Sequence, residues 1–445
     1  MRDERAESRP AGVPARATQA GDTSDRWSWV ESSVWTERML MALEVGVKGG
    51  KWFSLIDKVS SQRNLASAFT QVKRNKGSAG VDRVTIGMFG AHLEENLQRL
   101  SVSLVEGSYI PQAVRRVWIE KPGSQEKRPL GIPTVRDRVV QAAIRNVLEP
   151  IFERDFAAQS YGFRPGRSAK DALRRVAQLL KAGYVHVVDA DFQSYYDTIP
   201  RPPLMERVRS KVADSKVLGL LEAFLGQAVM ESAKHWIPDR GTPQGAVISP
   251  LLSNIYLDPL GHRMAQLGYE MVRYADDFVI LCRTPSEAQS SLAEVKSWTA
   301  AAGLQLHPEK TRIVDATQRG GFDFLGYHFE RGYRWPSKKS LGKFKDKIRA
   351  KTKRNHGHAL QRILSELVPI QRGWFEYFKH SHRSYFEKLD QWLRMRLRSI
   401  LRRRLKRKGR SRGKDHNRWP NAFFAEQGLY SFVTAFARAR QSSRR

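Results

Sequence analysis

The sequence predicts an α/β or α+β domain with a small central sheet, followed by an all-helical, strongly basic domain. Three observations carry this. From about residue 77 to 335, helical patterns alternate with the short strand-like runs "RRVWI", "HVVDADF", "FVILC" and "FDFLGYHF". Residues 337 to 410 lack strand signals and load Lys and Arg onto helical patterns. The 445-residue chain carries 77 Lys+Arg against 45 Asp+Glu, a net charge of +32. A surface that basic repels itself unless a polyanion neutralises it, which points to nucleic acid. A membrane fits less well, because no apolar run approaches the roughly 18 residues needed to span one. Length alone suggests about three domains. A hydrophobic content of 41% excludes a disordered chain. The single cysteine, Cys282, excludes an intrachain disulfide and a Cys-rich zinc site, and fits a reducing compartment.

In chain order, residues 1–50 read as an N-terminal extension, disordered over its first 25 or so residues, which lack the apolar core of a secretion signal. Val34, Glu37, Arg38, Leu40 and Met41 suggest a short amphipathic helix, broken at Gly49-Gly50 and packed on the next domain. Leu65, Ala68, Phe69 and Val72 repeat at helical spacing up to the turn "NKGSAGVD". In "EKPGSQEKRPLGIP", Lys121, Lys127 and Arg128 surround a Gly-Pro turn, suited to a triphosphate or simply solvated. "HVVDADFQSYYDTIP" sends a strand into Asp189, Asp191 and Asp197. "RGTPQGAVISPLLSNIYLD" places Gln244 and Gly245 in a tight loop before a helix from about Ser249. In "RYADDFVIL", Met271-Val272 and Phe278–Leu281 read as two strands with Asp276 and Asp277 at a hairpin tip. Asp is also an ordinary turn residue. If the Asp191 strand lies beside that hairpin, Asp191 and Asp276 face one point. Three carboxylates there do not ionise comfortably without cations, and two divalent ions about 3.5–4 Å apart would clamp an in-line phosphoryl displacement.

The blocks "RPLGIP", "YGFRPGRSA", "DADFQSYYDTI", "GTPQGAVISPLLSNIYLD", "YADD", "GLQLHPEKT" and "FDFLGY" follow one another in the order found in reverse transcriptases. From about Leu65 to the end, the chain is most similar to the reverse transcriptase/maturase encoded by bacterial group II introns. Single blocks are weak signals; all of them in order form a specific one.

The resemblance implies a right-hand polymerase fold of the α+β class. Fingers and palm, with a small antiparallel sheet, would occupy 51–335, a helical thumb/maturase domain 336–410, and a small DNA-binding segment 411–445. By motif match, Asp191, Asp276 and Asp277 would be the palm carboxylates holding two Mg²⁺ ions, with Mn²⁺ as a substitute. Asp191 and Asp276 would be the direct ligands of both ions. Tyr196 falls where an aromatic gate excludes a ribose 2′-hydroxyl. Lys121 and Arg128 match finger residues that hold the triphosphate, with Lys127 as a competitor. Gln244 and Gly245 match the loop supporting the templating pair. Lys310 would protonate the leaving pyrophosphate or sit in a surface salt bridge. Asp189 and Asp197 match no metal-binding position.

The implied partners are group II intron RNA, DNA target and primer, and dNTPs, in a bacterial cytoplasm and at the nucleoid. From Arg394 to Arg418 there are thirteen basic residues against the single acid Asp415. Arg402, Arg403, Arg404, Lys406 and Arg407 are therefore expected to grip RNA, and glutamine at 402–404 is expected to leave the fold intact. No room is foreseen for the endonuclease that many relatives carry. The competing readings are an RNA-binding splicing cofactor and a domesticated reverse transcriptase in defence or repair. An RNA-copying RNA polymerase is disfavoured by Tyr196.

Overall fold

The computed structural model describes residues 26–120, 127–231, 234–355, 357–407 and 409–442. Its strands are β1 (Val114–Glu120), β2 (Lys127–Ile132), β3 (His186–Ala190), β4 (Val229–Glu231), β5 (Lys234–Trp236), β6 (Glu270–Tyr274), β7 (Asp277–Cys282), β8 (Arg312–Asp315), β9 (Phe322–Phe324), β10 (Tyr327–Glu330) and β11 (Tyr333–Pro336). The principal helices are α1 (Gln62–Asn75), α2 (Val135–Glu153), α3 (Ala169–Lys181), α4 (Ser249–Gln266), α5 (Pro285–Ala301), α6 (Lys338–Lys351), α7 (Leu360–Phe378), α8 (Arg383–Arg404) and α9 (Phe432–Ser442).

The central sheet runs β6-β7-β3-β8, every neighbouring pair antiparallel. Its middle strand explains the unbroken apolar run after the two aspartates. Phe278, Ile280 and Cys282 enter the large core with residues of α4 and α5. Val279 and Leu281 point the other way, into a second core with Leu173 and Val176 of α3 and the aromatics of β9 and β10. A strand buried on both faces has no polar alternation to show. The expected strand "FDFLGYHF" is instead the hairpin β9–β10, because Leu325 and Gly326 turn the chain at φ of +47° and +82°.

A second sheet, β2-β1-β4-β5, is mixed, with β1 and β4 parallel. Helix α1, packed on α2, buries the expected Leu65, Ala68, Phe69 and Val72. α3 starts on a capping box, Ser168 with Asp171, which satisfies amides the first turn leaves free.

The Trp-rich N-terminal stretch packs as part of this body. Trp27, Val34, Trp35 and Leu43 belong to the large core, and Glu37–Val45 is helical. The Trp35 indole donates to the Asn146 carbonyl of α2 (2.9 Å) and meets Trp52 edge-on at 5.3 Å. Trp52 bridges to the Lys211–Ala213 backbone, and the Leu55 and Ile56 amides donate to Asp214 at 2.6 and 2.9 Å. The stretch thus straps α2 to the segment after Arg209. Residues 1–25, expected to be disordered, lie outside the described residues.

Helices α6, α7, α8 and α9 share a third core that contains Phe344, Phe375, Phe386, Leu393, Leu397, Phe424 and Phe432. Residues on both sides of the expected boundary at 410 therefore form one packed unit. The apolar stripe of α8 runs through Leu393, Leu397 and Ile400 to the partly buried Leu401; Leu405 lies beyond the helix and is exposed. Among the described residues, no helix is long and apolar enough to cross a membrane. Cys282 is buried at the end of β7, its sulfur 3.7 Å from the Ser291 hydroxyl.

Candidate active site

The β6–β7 register pairs Tyr274 with Asp277, so Ala275 and Asp276 form a two-residue turn. Ala275 takes φ +59°, as the first central residue of a tight hairpin turn requires when its hand matches strand twist. The turn is braced from behind. A Cβ on Gly162 would come within 2.2 Å of the Ala275 nitrogen, so only glycine lets that loop approach. Arg273, fully buried, donates to the Ala275 carbonyl (3.1 Å) and to the Asn254 side chain (3.0 Å), and Asn254 donates to the Gly162 carbonyl. Burial pushes the Arg273 guanidinium down to about 10.

β3 pairs with β7 so that Ala190 faces Phe278, and the next step brings Asp191 to the height of Asp277. The expected neighbourhood of Asp191 and the aspartate turn is therefore what the sheet builds. Burial, then the Asp191 charge, raises the Asp276 carboxyl above its ordinary range. Burial pushes Asp277 up to about 7, helped by the charges of Asp276, Asp191 and Asp189. Asp189, omitted by motif matching, joins the same acidic pocket. Burial pushes it up to about 6 against the opposing charge of Arg312, 3.4 Å away. The segment "GLQLHPEKT" closes on this pocket: the His307 amide donates to the Asp191 carbonyl, and the Lys310 ammonium sits 2.8 Å from the Asp191 carboxylate.

Beside the carboxylates lies a second group. Tyr196 is nearly buried on the short helix Tyr195–Thr198, its hydroxyl pushed up to about 12 by burial and within electrostatic range of Asp276 and Arg128. Its carbonyl accepts from the Thr242 amide at 2.7 Å. Arg128 donates to the Gln244 oxygen (2.8 Å), and the Gln244 amide donates to Asp197 (3.0 Å). One side chain thus joins β2 to the Tyr196 helix, giving Asp197 a supporting part that motif matching did not assign. Gly245 has φ +108°, and a Cβ there would come within 2.3 Å of the Gly131 carbonyl of β2. Lys127 opens β2 and is exposed, while Lys121 lies outside the described residues. Arg273 and Asn254 went unremarked in the sequence, although an arginine between Val272 and Tyr274 in a strand is a signal of a buried cation.

The five basic residues after α8's last apolar position are not equivalent. Arg402 donates to Asp415 at 2.8 Å, with only 17% and 2% of the two side chains exposed. Arg404 donates to the His358 carbonyl. Both contacts lie within the protein, so glutamine at 402–404 would remove two of its own hydrogen bonds, where none was expected to be lost. Arg403, Lys406 and Arg407 are exposed and remain candidates for phosphate contact.

Residues 119–329 match the model of the reverse transcriptase (RNA-dependent DNA polymerase) family, and residues 341–419 that of the group II intron, maturase-specific domain. The chain is 33% identical over 318 residues to protein YkfC of Escherichia coli K12, covering 62% of this chain and 83% of that one. It is 34% identical over 241 residues to the group II intron-encoded protein LtrA of Lactococcus lactis, covering 49% of this chain but 40% of the relative. Among solved structures, a partial Cas6-RT-Cas1–Cas2 complex aligns with 55% of this chain and 42% of that one, at 24% identity and a TM-score of 0.36. With seven ordered blocks, the aspartate turn and both family models in agreement, the chain belongs to the family of group II intron-encoded reverse transcriptases and maturases.

Proposed function

We propose that this chain copies group II intron RNA into DNA by two-metal-ion nucleotidyl transfer, and that its basic helical domain holds intron RNA to assist splicing. The observation that carries the reading is the convergence of Asp191, Asp276 and Asp277 at one end of the central sheet, with Asp276 raised by burial and the Asp191 charge, and Asp277 by burial and the charges of Asp276 and Asp191. Among the described residues no three acidic, His or Cys groups are arranged as a complete metal cage. Mg²⁺ is commonly bound by one or two carboxylates together with substrate phosphates. The Lys310 ammonium on Asp191 already stands where a cation is attracted. Asp191 and Asp276 would hold the ions, with Asp277 beside them. When bound, such ions activate the primer hydroxyl and neutralise charge on the transferred phosphoryl group.

The remaining work falls to side chains. Arg128, aimed by Gln244, binds the triphosphate. Tyr196, held from behind by Thr242, closes the space a 2′-hydroxyl needs. Lys310, once released from Asp191, donates a proton to the leaving pyrophosphate. The basic surface and the buried lone thiol support a cytoplasmic setting, at the nucleoid when DNA is the target.

Purified protein with RNA template, DNA primer, Mg²⁺ and dNTPs is expected to extend the primer; no extension under these conditions overturns the reading. Tyr196→Ala is expected to raise ribonucleotide incorporation at least about tenfold relative to dNTPs, the scale of a removed steric contact. An unchanged sugar preference would remove Tyr196 from that role. Changing Arg403, Lys406 and Arg407 together to Gln is expected to make the plot of log RNA affinity against log salt shallower by about two to three units, at roughly 0.7–0.9 per lost phosphate contact. A fixed slope would show these residues to be only solvated.

A further inference from the structure

A cavity of 580 Å³ lies between the β10–β11 turn, the turn joining α7 to α8, and α9. It is separate from the carboxylates and from the exposed arginines after α8. Its polar wall is built by Tyr333, Arg334, Lys379, His382, Arg383 and Arg440, and among the described residues no acidic side chain lines it. Two of these cations are partly neutralised from outside: Lys379 meets Glu376 at 3.1 Å and Arg383 meets Glu387 at 2.8 Å. Both pairs are solvent-exposed and hold little free energy. Arg334 donates to the His380 carbonyl at 3.2 Å. Among the described residues, neither Arg334 nor Arg440 forms a salt bridge with a carboxylate. Lys170 and Arg174 of α3 add their charge around His380 at the rim.

Tyr333 is the aromatic member. It opens β11 with 59% of its surface exposed and stands perpendicular to His382, ring centroids 5.6 Å apart. A large aromatic ring in solvent beside arginines that lack a carboxylate has the make-up of a stacking platform with a phosphate clamp. The 22-residue α8 also begins here, with no acid in its first turn, so its end reinforces the positive field.

We propose that this cavity holds one nucleotide of a polynucleotide strand, its phosphodiester among Arg334, Lys379 and Arg440 and its base against Tyr333. The proposal rests on reading the chain as a nucleic-acid polymerase and assigns a strand contact outside the catalytic cleft. A free pyrophosphate or nucleotide offers the same phosphate chemistry, but pyrophosphate brings nothing for Tyr333 to stack on.

The test is equilibrium binding of fluorescent 10-nucleotide RNA and DNA strands to the full chain, in EDTA and without dNTPs, over a series of salt concentrations. Tyr333→Ala is expected to weaken binding about tenfold, within the range for losing one stacked base. Arg440→Gln is expected to weaken it and to reduce the salt slope by about 0.7. Both side chains are exposed, so both variants keep the wild-type circular dichroism spectrum. Unchanged affinity in both variants overturns the site. Loss with Arg440→Gln but not with Tyr333→Ala, together with displacement by pyrophosphate, overturns the strand assignment in favour of a small anion. Because metal and dNTPs are absent, Tyr333-dependent binding by a chain that fails to extend primers would keep this site and reject the polymerase reading.

Discussion

Asp276→Ala is expected to abolish primer extension, by on the order of 10³-fold or more, while RNA binding stays within a few fold of wild type. The carboxylate sits on a two-residue turn whose backbone is held by the close approach of Gly162 and by Arg273, so the fold fixes its position. The RNA contacts proposed on the helical domain do not depend on it. The same substitution is expected to stabilise the metal-free protein. Asp276 and Asp277 have carboxyls raised in the fold, so the native state binds more protons than the unfolded one above the ordinary carboxylate range. Stability in EDTA should therefore fall as pH rises from about 4 through about 7, where Asp277 loses its proton. The fall is at most about 1.4 kcal/mol per pH step of one for each extra proton the native state holds. Removing the Asp276 charge relieves Asp277, and calorimetry at pH 8 in EDTA should show a higher Tm for the variant. Mg²⁺ should raise the Tm of wild type and leave that of the variant nearly unmoved. A variant that extends primers, or one less stable than wild type in EDTA, would refute the assignment.

The second large effect is structural. Arg402→Gln is expected to destabilise the helical domain by about 3 kcal/mol, because it strands the buried Asp415 carboxylate without its cation. Asp415 also accepts the Arg412 amide at 2.8 Å, which starts the short helix Gly413–Arg418. Loss of Arg402 should therefore loosen the segment that brings Trp419 and Phe424 onto α8. Arg403→Gln, one residue along and exposed, should leave the melting temperature within about 1 °C of wild type, since surface changes of this kind stay within about 0.5 kcal/mol. Equal melting temperatures for the two variants would show that the ion pair contributes nothing.

These two cases mark what the sequence discloses. The aspartate turn was legible because two apolar runs flank it at hairpin distance, and Asp191 because Val187 and Val188 lead a strand up to it. Such signals are local, written in periodicity. The role of Arg402 was not legible: its partner stands thirteen positions on, inside a run of like charge whose density suggested a uniform grip on RNA. The Arg128–Gln244–Asp197 connection joins residues 47 and 116 positions apart and leaves no periodic trace. Nothing in the sequence said where the four tryptophans before residue 55 pack, which depends on where Asn146 and Lys211 come to lie. Sequence pattern reported which faces are apolar; it could not report which polar side chain crosses from one segment to another.

The burial of Cys282 has a practical consequence. It is the only cysteine in the chain, it is 2% exposed, and burial raises its thiol further from the reactive thiolate. Thiol reagents attack thiolates, so the native protein should be silent toward a maleimide or methanethiosulfonate at neutral pH. Cysteines introduced at exposed positions such as Ile110 and Ser365 would then be the sole points of attachment, with no native residue to remove first. A pair of spin labels at those two positions would measure the separation between the N-terminal body and the helical domain directly, in the free chain and again with RNA bound.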